Sequence, residues 1–69
     1  MIYFNNDALR SARHARQYTQ EEVAEAIGVS YRTYQNWEQG VASPSATHFL
    51  RLMVLLKVYD PFAFAYGVK

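Results

Sequence analysis

The 69-residue sequence contains no cysteine, which excludes disulfide bonds and metal sites built on thiolate ligands. Its two histidines, His14 and His48, lie far apart without nearby paired carboxylates, so we expect no bound metal and no cofactor. An excess of charge of one sign is also missing. The net charge is only +1, and composition alone therefore does not indicate a nucleic-acid partner.

Long hydrophobic runs are absent as well. The longest nearly apolar stretch, residues 49–59, is interrupted by Arg51 and Lys57 and is too short to cross a bilayer. The first residues lack the basic region and apolar run of a signal peptide. We therefore expect a soluble cytoplasmic protein with no membrane partner.

Apolar residues are abundant instead: they make up 51% of the chain, and aromatic residues alone make up 16%. A chain of this length lies near the lower limit for folding without a disulfide or a metal. We expect residues 1–69 to form a single domain that leaves some apolar surface for a partner to cover.

Capping residues predict the first three helices. The run Asn5-Asn-Asp offers an N-cap for the first. Thr19 and Glu22 have the spacing of a capping box, in which each side chain accepts a hydrogen bond from the other's backbone amide. Ser30 is the expected N-cap of the third helix, and Gly28 ends the second because glycine adopts the left-handed conformation without steric cost. The predicted ranges are 7–16, 20–27 and 31–39.

Two further helices are predicted in the C-terminal third. Ser43 is the expected N-cap and Pro44 the first residue of a fourth helix that continues to about Lys57. Asp60-Pro61 repeats this signal and favours a short fifth helix from Phe62 to Tyr66. The predicted fold is therefore all-α, a compact bundle of five short helices.

The second and third helices are separated by three residues, Gly28 to Ser30, which is the spacing of a DNA-binding helix-turn-helix over residues 20–39. Tyr34 and Trp37 occupy the inner face of the third helix. Its outer face carries a phenol, a guanidinium and amides, which are groups that hydrogen-bond to base edges in the major groove. The residues predicted to contact bases are Tyr31, Arg32, Gln35 and Asn36.

The sequence resembles the Cro/C1-type helix-turn-helix regulators, typified by small lambdoid phage repressors. The resemblance runs from about residue 8 to residue 58 and implies a lambda-repressor-like fold that binds double-stranded DNA. The matching residues are Leu9-Arg10, Arg13, Thr19 to Ala24, Ile27 to Ser30, Trp37-Glu38, Gly40 and Pro44.

The resemblance also implies roles for individual residues. Gln20 matches a position that bonds a DNA phosphate through its side chain and backbone amide. Arg13 and Glu38 match a partly buried ion pair that ties the first helix to the end of the third. Tyr31, Arg32 and Asn36 match the main base-contacting positions, with Ser30 and Gln35 more peripheral.

The chain departs from the family at two places. The family favours glycine at the position of Gln17, where a left-handed glutamine would cost roughly 1 kcal/mol. Many relatives have lysine or arginine where this chain has Val41-Ala-Ser. We therefore expect modest phosphate affinity and a shallow salt dependence. The predicted phosphate contacts are Thr19, Gln20, Ser30, Arg10 and Arg16, with Arg32 and Arg51 adding positive charge.

The fourth helix is apolar nearly all round between Phe49 and Leu56, more than one buried stripe can use. We expect residues 49–69 to form a homodimer interface with a second copy. The alternative is that the tail folds back and completes the core of its own chain. The residues predicted at the interface are Leu55, Phe62, Phe64 and Tyr66.

The favoured function is a transcriptional regulator from a phage or mobile element, a repressor that binds a palindromic operator as a homodimer. The alternative is a protein-interaction module, such as an antitoxin that uses the same fold to hold a toxin or another protein partner. An enzyme is not expected, because no nucleophile–base pair, phosphate-binding glycine loop or paired acid is present.

Overall fold

The computed structural model describes residues 2–60 and 65–67, with side chains described for residues 4–60. Within these ranges the chain forms four helices and two short strands. The helices are α1 (Asn6–Ala15), α2 (Gln20–Ile27), α3 (Tyr31–Gln39) and α4 (Ala46–Leu56), and the strands are β1 (Ile2–Phe4) and β2 (Ala65–Gly67).

Side-chain caps start the first three helices, as predicted. The Asn5 side chain accepts a hydrogen bond from the Ala8 amide at 3.1 Å. Thr19 and Glu22 form the reciprocal capping box, with amide-to-oxygen distances of 2.8 and 3.1 Å. Ser30 caps α3 in the same way. These caps confirm the predicted ranges of α2 and α3 to the residue.

Left-handed residues end the helices. Gly28 and Gly40 have φ values of 87° and 79° at the ends of α2 and α3. The turn after α1 places Gln17 at φ 61°, and Lys57 ends α4 at φ 56°. A left-handed residue with a side chain costs roughly 1–2 kcal/mol, so the expected strain at Gln17 is present.

The predicted start of α4 at Ser43-Pro44 is wrong. Ser45 is the N-cap, its hydroxyl accepts from the His48 amide at 3.3 Å, and the helix begins at Ala46. The sequence offers two serine caps two residues apart, and the Ser45 hydroxyl also lies 3.2 Å from His48 Nδ1 in the first turn of the helix. The later start also accompanies the packing of the His48 ring on Trp37, with centroids 5.5 Å apart.

The predicted fifth helix, Phe62–Tyr66, is also wrong where the structure describes it. Ala65 and Tyr66 lie in β2, which pairs with β1 in an antiparallel register that places Tyr66 opposite Tyr3. Aromatic residues that alternate with alanine have the two-residue period of a strand. The Asp60-Pro61 signal is local, whereas β2 forms through a pairing with the opposite end of the chain.

The core lies between the four helices. Phe4 and Phe49 close one side of it with their rings edge to face, 6.2 Å between centroids. Tyr34 and Trp37 of α3 pack in the same manner at 5.8 Å. No helix within the described ranges is long and apolar enough to cross a membrane. The buried apolar residues of the described chain are Leu9, Val23, Ala24, Ile27, Tyr34, Trp37, Leu52 and Leu56.

Candidate nucleic-acid interface

Helices α2 and α3 pack against each other across the turn from Gly28 to Ser30. The Val29 amide donates to the Ala24 carbonyl at 3.0 Å, which closes the turn tightly against α2. Ala24 is buried, and its small side chain allows the two helices to approach closely. The pair has the arrangement of a helix-turn-helix, in which the second helix is the one that enters the major groove.

The outward face of α3 carries polar side chains that are accessible to solvent. Tyr31 is 44% exposed and Arg32 is exposed, while Gln35 and Asn36 are half-buried. The opposite face is buried through Tyr34, Trp37 and Glu38. The structure therefore brings the four predicted base-contacting residues to one helix face.

Arg32 is distinguished from the other arginines by its lack of partners. Within the described residues, its guanidinium forms no hydrogen bond or ion pair, so all of its donors are available to an external acceptor. Each of the other arginines bonds within the chain: Arg10 to Asp7, Arg13 to Glu38, Arg16 to the Leu56 carbonyl and Arg51 to the Ile27 carbonyl.

Two predicted phosphate contacts have structural partners. Arg16 Nε donates to the Leu56 carbonyl at 3.1 Å and so satisfies a carbonyl at the end of α4. Arg10 lies 2.7 Å from the Asp7 carboxylate in an exposed ion pair. An exposed ion pair of this kind is weak. Two arginines that were predicted to contact DNA phosphates therefore also form bonds within the chain, Arg10 in α1 and Arg16 to the end of α4.

A groove of about 590 Å³ lies where the end of α1 meets the N-termini of α2 and α3. It gathers the predicted phosphate contacts Thr19 and Gln20 beside the predicted base contact Tyr31. Ser30, a further predicted phosphate contact, is exposed at the start of α3. The full lining is Arg13, His14, Gln17, Tyr18, Thr19, Gln20, Glu21 and Tyr31.

Behind this groove Arg13 and Glu38 form a buried ion pair. Arg13 Nε lies 2.6 Å from Glu38 Oε2, and Nη2 lies 3.1 Å from Oε1. Arg13 Nη1 donates to the Tyr18 carbonyl at 2.9 Å, and Nη2 also contacts His14 Nε2 at 3.0 Å. With these donors engaged, Arg13 supports the helices and is not free to bind a phosphate.

Three side chains converge on the Glu38 carboxylate, which is 3% exposed. Besides Arg13, the Tyr34 hydroxyl donates to Oε2 and Gln20 Nε2 donates to Oε1 at 3.0 Å. Burial alone would raise the pKa of Glu38, but the hydrogen bonds from these three residues outweigh it and lower the pKa. Burial and the bond to Glu38 raise the pKa of Tyr34, and the bond to Glu38 raises that of Arg13.

No pattern in the sequence indicates the bonds that link Gln20 to both Glu38 and Tyr31. The Tyr31 hydroxyl donates to Gln20 Oε1 at 3.4 Å, a long and weak hydrogen bond. Asn6 was also missed as a contact: its Nδ2 donates to the Glu38 carbonyl at 3.0 Å. These contacts depend on how three helices cross, which no local pattern specifies.

Of the four residues predicted at a dimer interface, the structure describes the side chain of Leu55 and the backbone of Tyr66. Leu55 is half-buried, and it lines an apolar groove of about 510 Å³ together with Leu50 and Val54. Phe62 and Phe64 lie outside the described residues. Tyr66 lies in β2, whose pairing with β1 shows that residues 65–67 fold back on their own chain.

A helix-turn-helix family model matches residues 9–61. With the geometry of α2 and α3, this match defines a helix-turn-helix DNA-binding protein. The chain belongs to the Cro/C1-type family of helix-turn-helix regulators. It is a DNA-binding transcription regulator, which confirms the resemblance seen in the sequence. Among curated proteins, none matches the chain significantly.

Two solved structures are similar to the chain over most of its length. The restriction-modification controller protein C.AhdI from Aeromonas hydrophila is 25% identical, with a TM-score of 0.75 over 86% of this chain and 88% of that one. The SOS-response transcriptional repressor LexA from Eubacterium rectale is 26% identical, with a TM-score of 0.80 over 93% of this chain and 67% of that one.

Proposed function

We propose that the chain binds double-stranded DNA sequence-specifically, with the outward face of α3 in the major groove. The observation that carries this proposal is the exposed Arg32 guanidinium, which has no partner within the described chain. An arginine in this position can donate two hydrogen bonds to guanine O6 and N7, and Asn36 one turn later can pair with adenine. Gln35 and Tyr31 flank these two residues.

Phosphate contacts hold α3 in register in this proposal. Thr19 and Gln20 start α2 at the edge of the groove, where the positive end of the helix favours an anion and the carboxylates of Glu21 and Glu22 oppose it. Ser30 occupies the equivalent position before α3. Arg10 and Arg16 add charge nearby in the sequence, although both also bond within the chain.

We further propose that two copies bind a palindromic operator through a dimer formed on α4. Leu50 and Val54 are 60% and 70% exposed on this helix and border the apolar groove that Leu55 lines. To face successive major grooves of the operator, the two α3 helices of such a dimer must lie about 34 Å apart, one turn of DNA. A dimer bound in this way would exclude other proteins from the operator and so act as a repressor.

Selection of bound sites from random double-stranded DNA tests the function as a whole. We expect the full chain to enrich one motif with two inverted half-sites. Enrichment of a single half-site would leave specific DNA binding in place and contradict the dimer. Recovery of no motif, with a partner protein covering α3 instead, would favour the interaction-module alternative.

A further inference from the structure

Four hydrogen bonds saturate the carboxylate of Glu38. Oε1 accepts from Arg13 Nη2 at 3.1 Å and from Gln20 Nε2 at 3.0 Å. Oε2 accepts from Arg13 Nε at 2.6 Å and from the Tyr34 hydroxyl. An ionised carboxylate can only accept hydrogen bonds. The end of the Gln20 amide that faces Glu38 must therefore be the nitrogen, which fixes the orientation of the amide.

This orientation places the Gln20 carbonyl toward α3. There the Tyr31 hydroxyl donates its single hydrogen to Gln20 Oε1 at 3.4 Å. A phenol has one donor, so once the hydrogen is engaged the oxygen offers only lone pairs to any other group. The bonds from Tyr31 through Gln20 to Glu38 thus all point in one direction, from the outward face of α3 into the protein.

We infer that Glu38 is a positioning residue for base recognition, which fixes Gln20 and through it presents the Tyr31 oxygen to DNA as a hydrogen-bond acceptor. The inference rests on the proposed placement of α3 in the major groove. It gives the buried ion pair a second role, because the same carboxylate that holds Arg13 sets the hydrogen-bonding direction of an exposed side chain two contacts away.

A hydrogen-bond acceptor on Tyr31 can pair with the bases that present an amino group in the major groove. Adenine and cytosine present amino groups there, whereas guanine and thymine present carbonyl oxygens at the matching positions. A carbonyl oxygen can be bound only if the Tyr31 hydroxyl turns away from Gln20 and gives up its hydrogen bond there. At the base pair that Tyr31 faces, adenine or cytosine is therefore favoured over guanine or thymine on the contacted strand.

The test first identifies the base pair of the operator at which Tyr31→Phe changes the sequence preference. The affinity of the chain is then measured for four operators that differ only at that base pair. For the native chain we expect an amino-over-carbonyl preference of about two- to threefold, because a carbonyl partner costs the Tyr31–Gln20 bond, which at 3.4 Å belongs to the weak end of neutral hydrogen bonds. Glu38→Gln should reduce this ratio to near one, since a glutamine can donate as well as accept. Gln20→Met, which leaves the Arg13–Glu38 pair intact, should reduce it equally and covers the case in which Glu38→Gln does not fold.

Tyr34→Phe is the matched control. It removes another hydrogen bond to the same Glu38 carboxylate without touching Gln20 or Tyr31, so the base preference should persist even where stability falls. The inference is overturned if the ratio survives Gln20→Met, if Tyr34→Phe abolishes it as fully as Glu38→Gln, or if Tyr31→Phe changes the preference at no base pair.

A measurement without DNA separates this inference from the proposed function. NMR should show slow exchange with solvent for the Gln20 Nε2 hydrogen that is bonded to Glu38, both in the native chain and in Tyr34→Phe. In Glu38→Gln the same hydrogen should exchange rapidly. Fast exchange in the native chain would overturn the positioning role. Absence of any base preference in a native chain with a protected Gln20 amide would instead contradict the placement of α3 on DNA, and with it the inferred role in recognition.

Discussion

Arg13 and Glu38 form a two-pronged ion pair that joins α1 to the last turn of α3. The distances of 2.6 and 3.1 Å match the planar fork of a guanidinium to the two oxygens of a carboxylate. Glu38 also accepts from Gln20 at the start of α2. One buried carboxylate thus fixes the relative positions of all three helices that build the candidate DNA-binding face.

Removal of this carboxylate should destabilise the fold. In Glu38→Ala, Arg13 remains buried without its partner, and loss of one member of a buried pair costs about 3–5 kcal/mol. Urea unfolding followed by Trp37 fluorescence measures this loss. Asp7→Ala, which breaks the exposed pair with Arg10, is the control and should change the free energy of unfolding little. Equal stability of the two variants would show that the buried pair does not hold the helices.

Acid should weaken the native chain through the same group. The pKa of Glu38 is lower in the folded state than its ordinary value of 4.5, so the unfolded chain binds its proton more tightly. The contribution to stability is therefore complete above the ordinary pKa and is lost as the pH falls through the lower, folded value.

Unfolding free energies measured from pH 6 down through the acid range test this sign. The slope below the ordinary pKa of Glu38 should be reduced in Glu38→Gln, which has no proton to bind at this position. An unchanged slope in that variant would show that other carboxylates cause the acid sensitivity.

The left-handed positions Gly28 and Gln17 give two substitutions whose effects on stability should differ. Gly28→Ala should destabilise the chain by about 1–2 kcal/mol, because φ is 87° and no L side chain adopts it freely. The space itself is open, with Arg51 Nη1 3.8 Å from an added Cβ. Gln17→Gly should be neutral or slightly stabilising, since relief of strain offsets the larger entropy of the unfolded glycine. Thermal unfolding compares the two, and destabilisation by Gln17→Gly would contradict this account.

Sequence patterns predicted the helix-turn-helix well because its signals are local. The capping box at Thr19 and the left-handed glycine at position 28 specify α2 from residues within one turn of each end. The start of α4 and the strand β2 could not be predicted in this way. Ser43 and Ser45 both fit the pattern of a cap, and the helix that begins after Ser45 is the one that packs His48 on Trp37. Strand β2 pairs with β1, more than 60 residues away.

The sequence predicted which residues share the outward face of α3, but it did not predict the hydrogen bonds that link this face to the other helices. The helical period places Tyr31, Arg32 and Asn36 on one face, and the structure has them there. The period does not show that Arg16 bonds the end of α4, or that Gln20 links Tyr31 to Glu38. Both facts depend on distances between helices, which the sequence of any one helix does not contain.

The proposed dimer predicts a selective effect at α4. Val54→Asp places a charge on a side chain that is 70% exposed, so the fold of one chain should survive while the second copy is lost. Val41→Asp is the matched control, because Val41 is 71% exposed but lies in the loop after α3. Sedimentation equilibrium should give monomers for the first variant and dimers for the second. Monomers for the native chain at concentrations that saturate its DNA site would contradict the dimer.

Specific DNA binding by α3 is tested most directly by the ratio of affinities for the selected site and for random DNA, in the native chain and in Arg32→Ala. Lys57→Asn is the control, since it removes the same charge from the end of α4 and asparagine tolerates the left-handed conformation there. We expect Arg32→Ala to lose about 1–3 kcal/mol on the selected site and little on random DNA, while Lys57→Asn keeps the native ratio. Equal losses on both DNAs in Arg32→Ala would show that this residue contacts only phosphate and would contradict base recognition by α3.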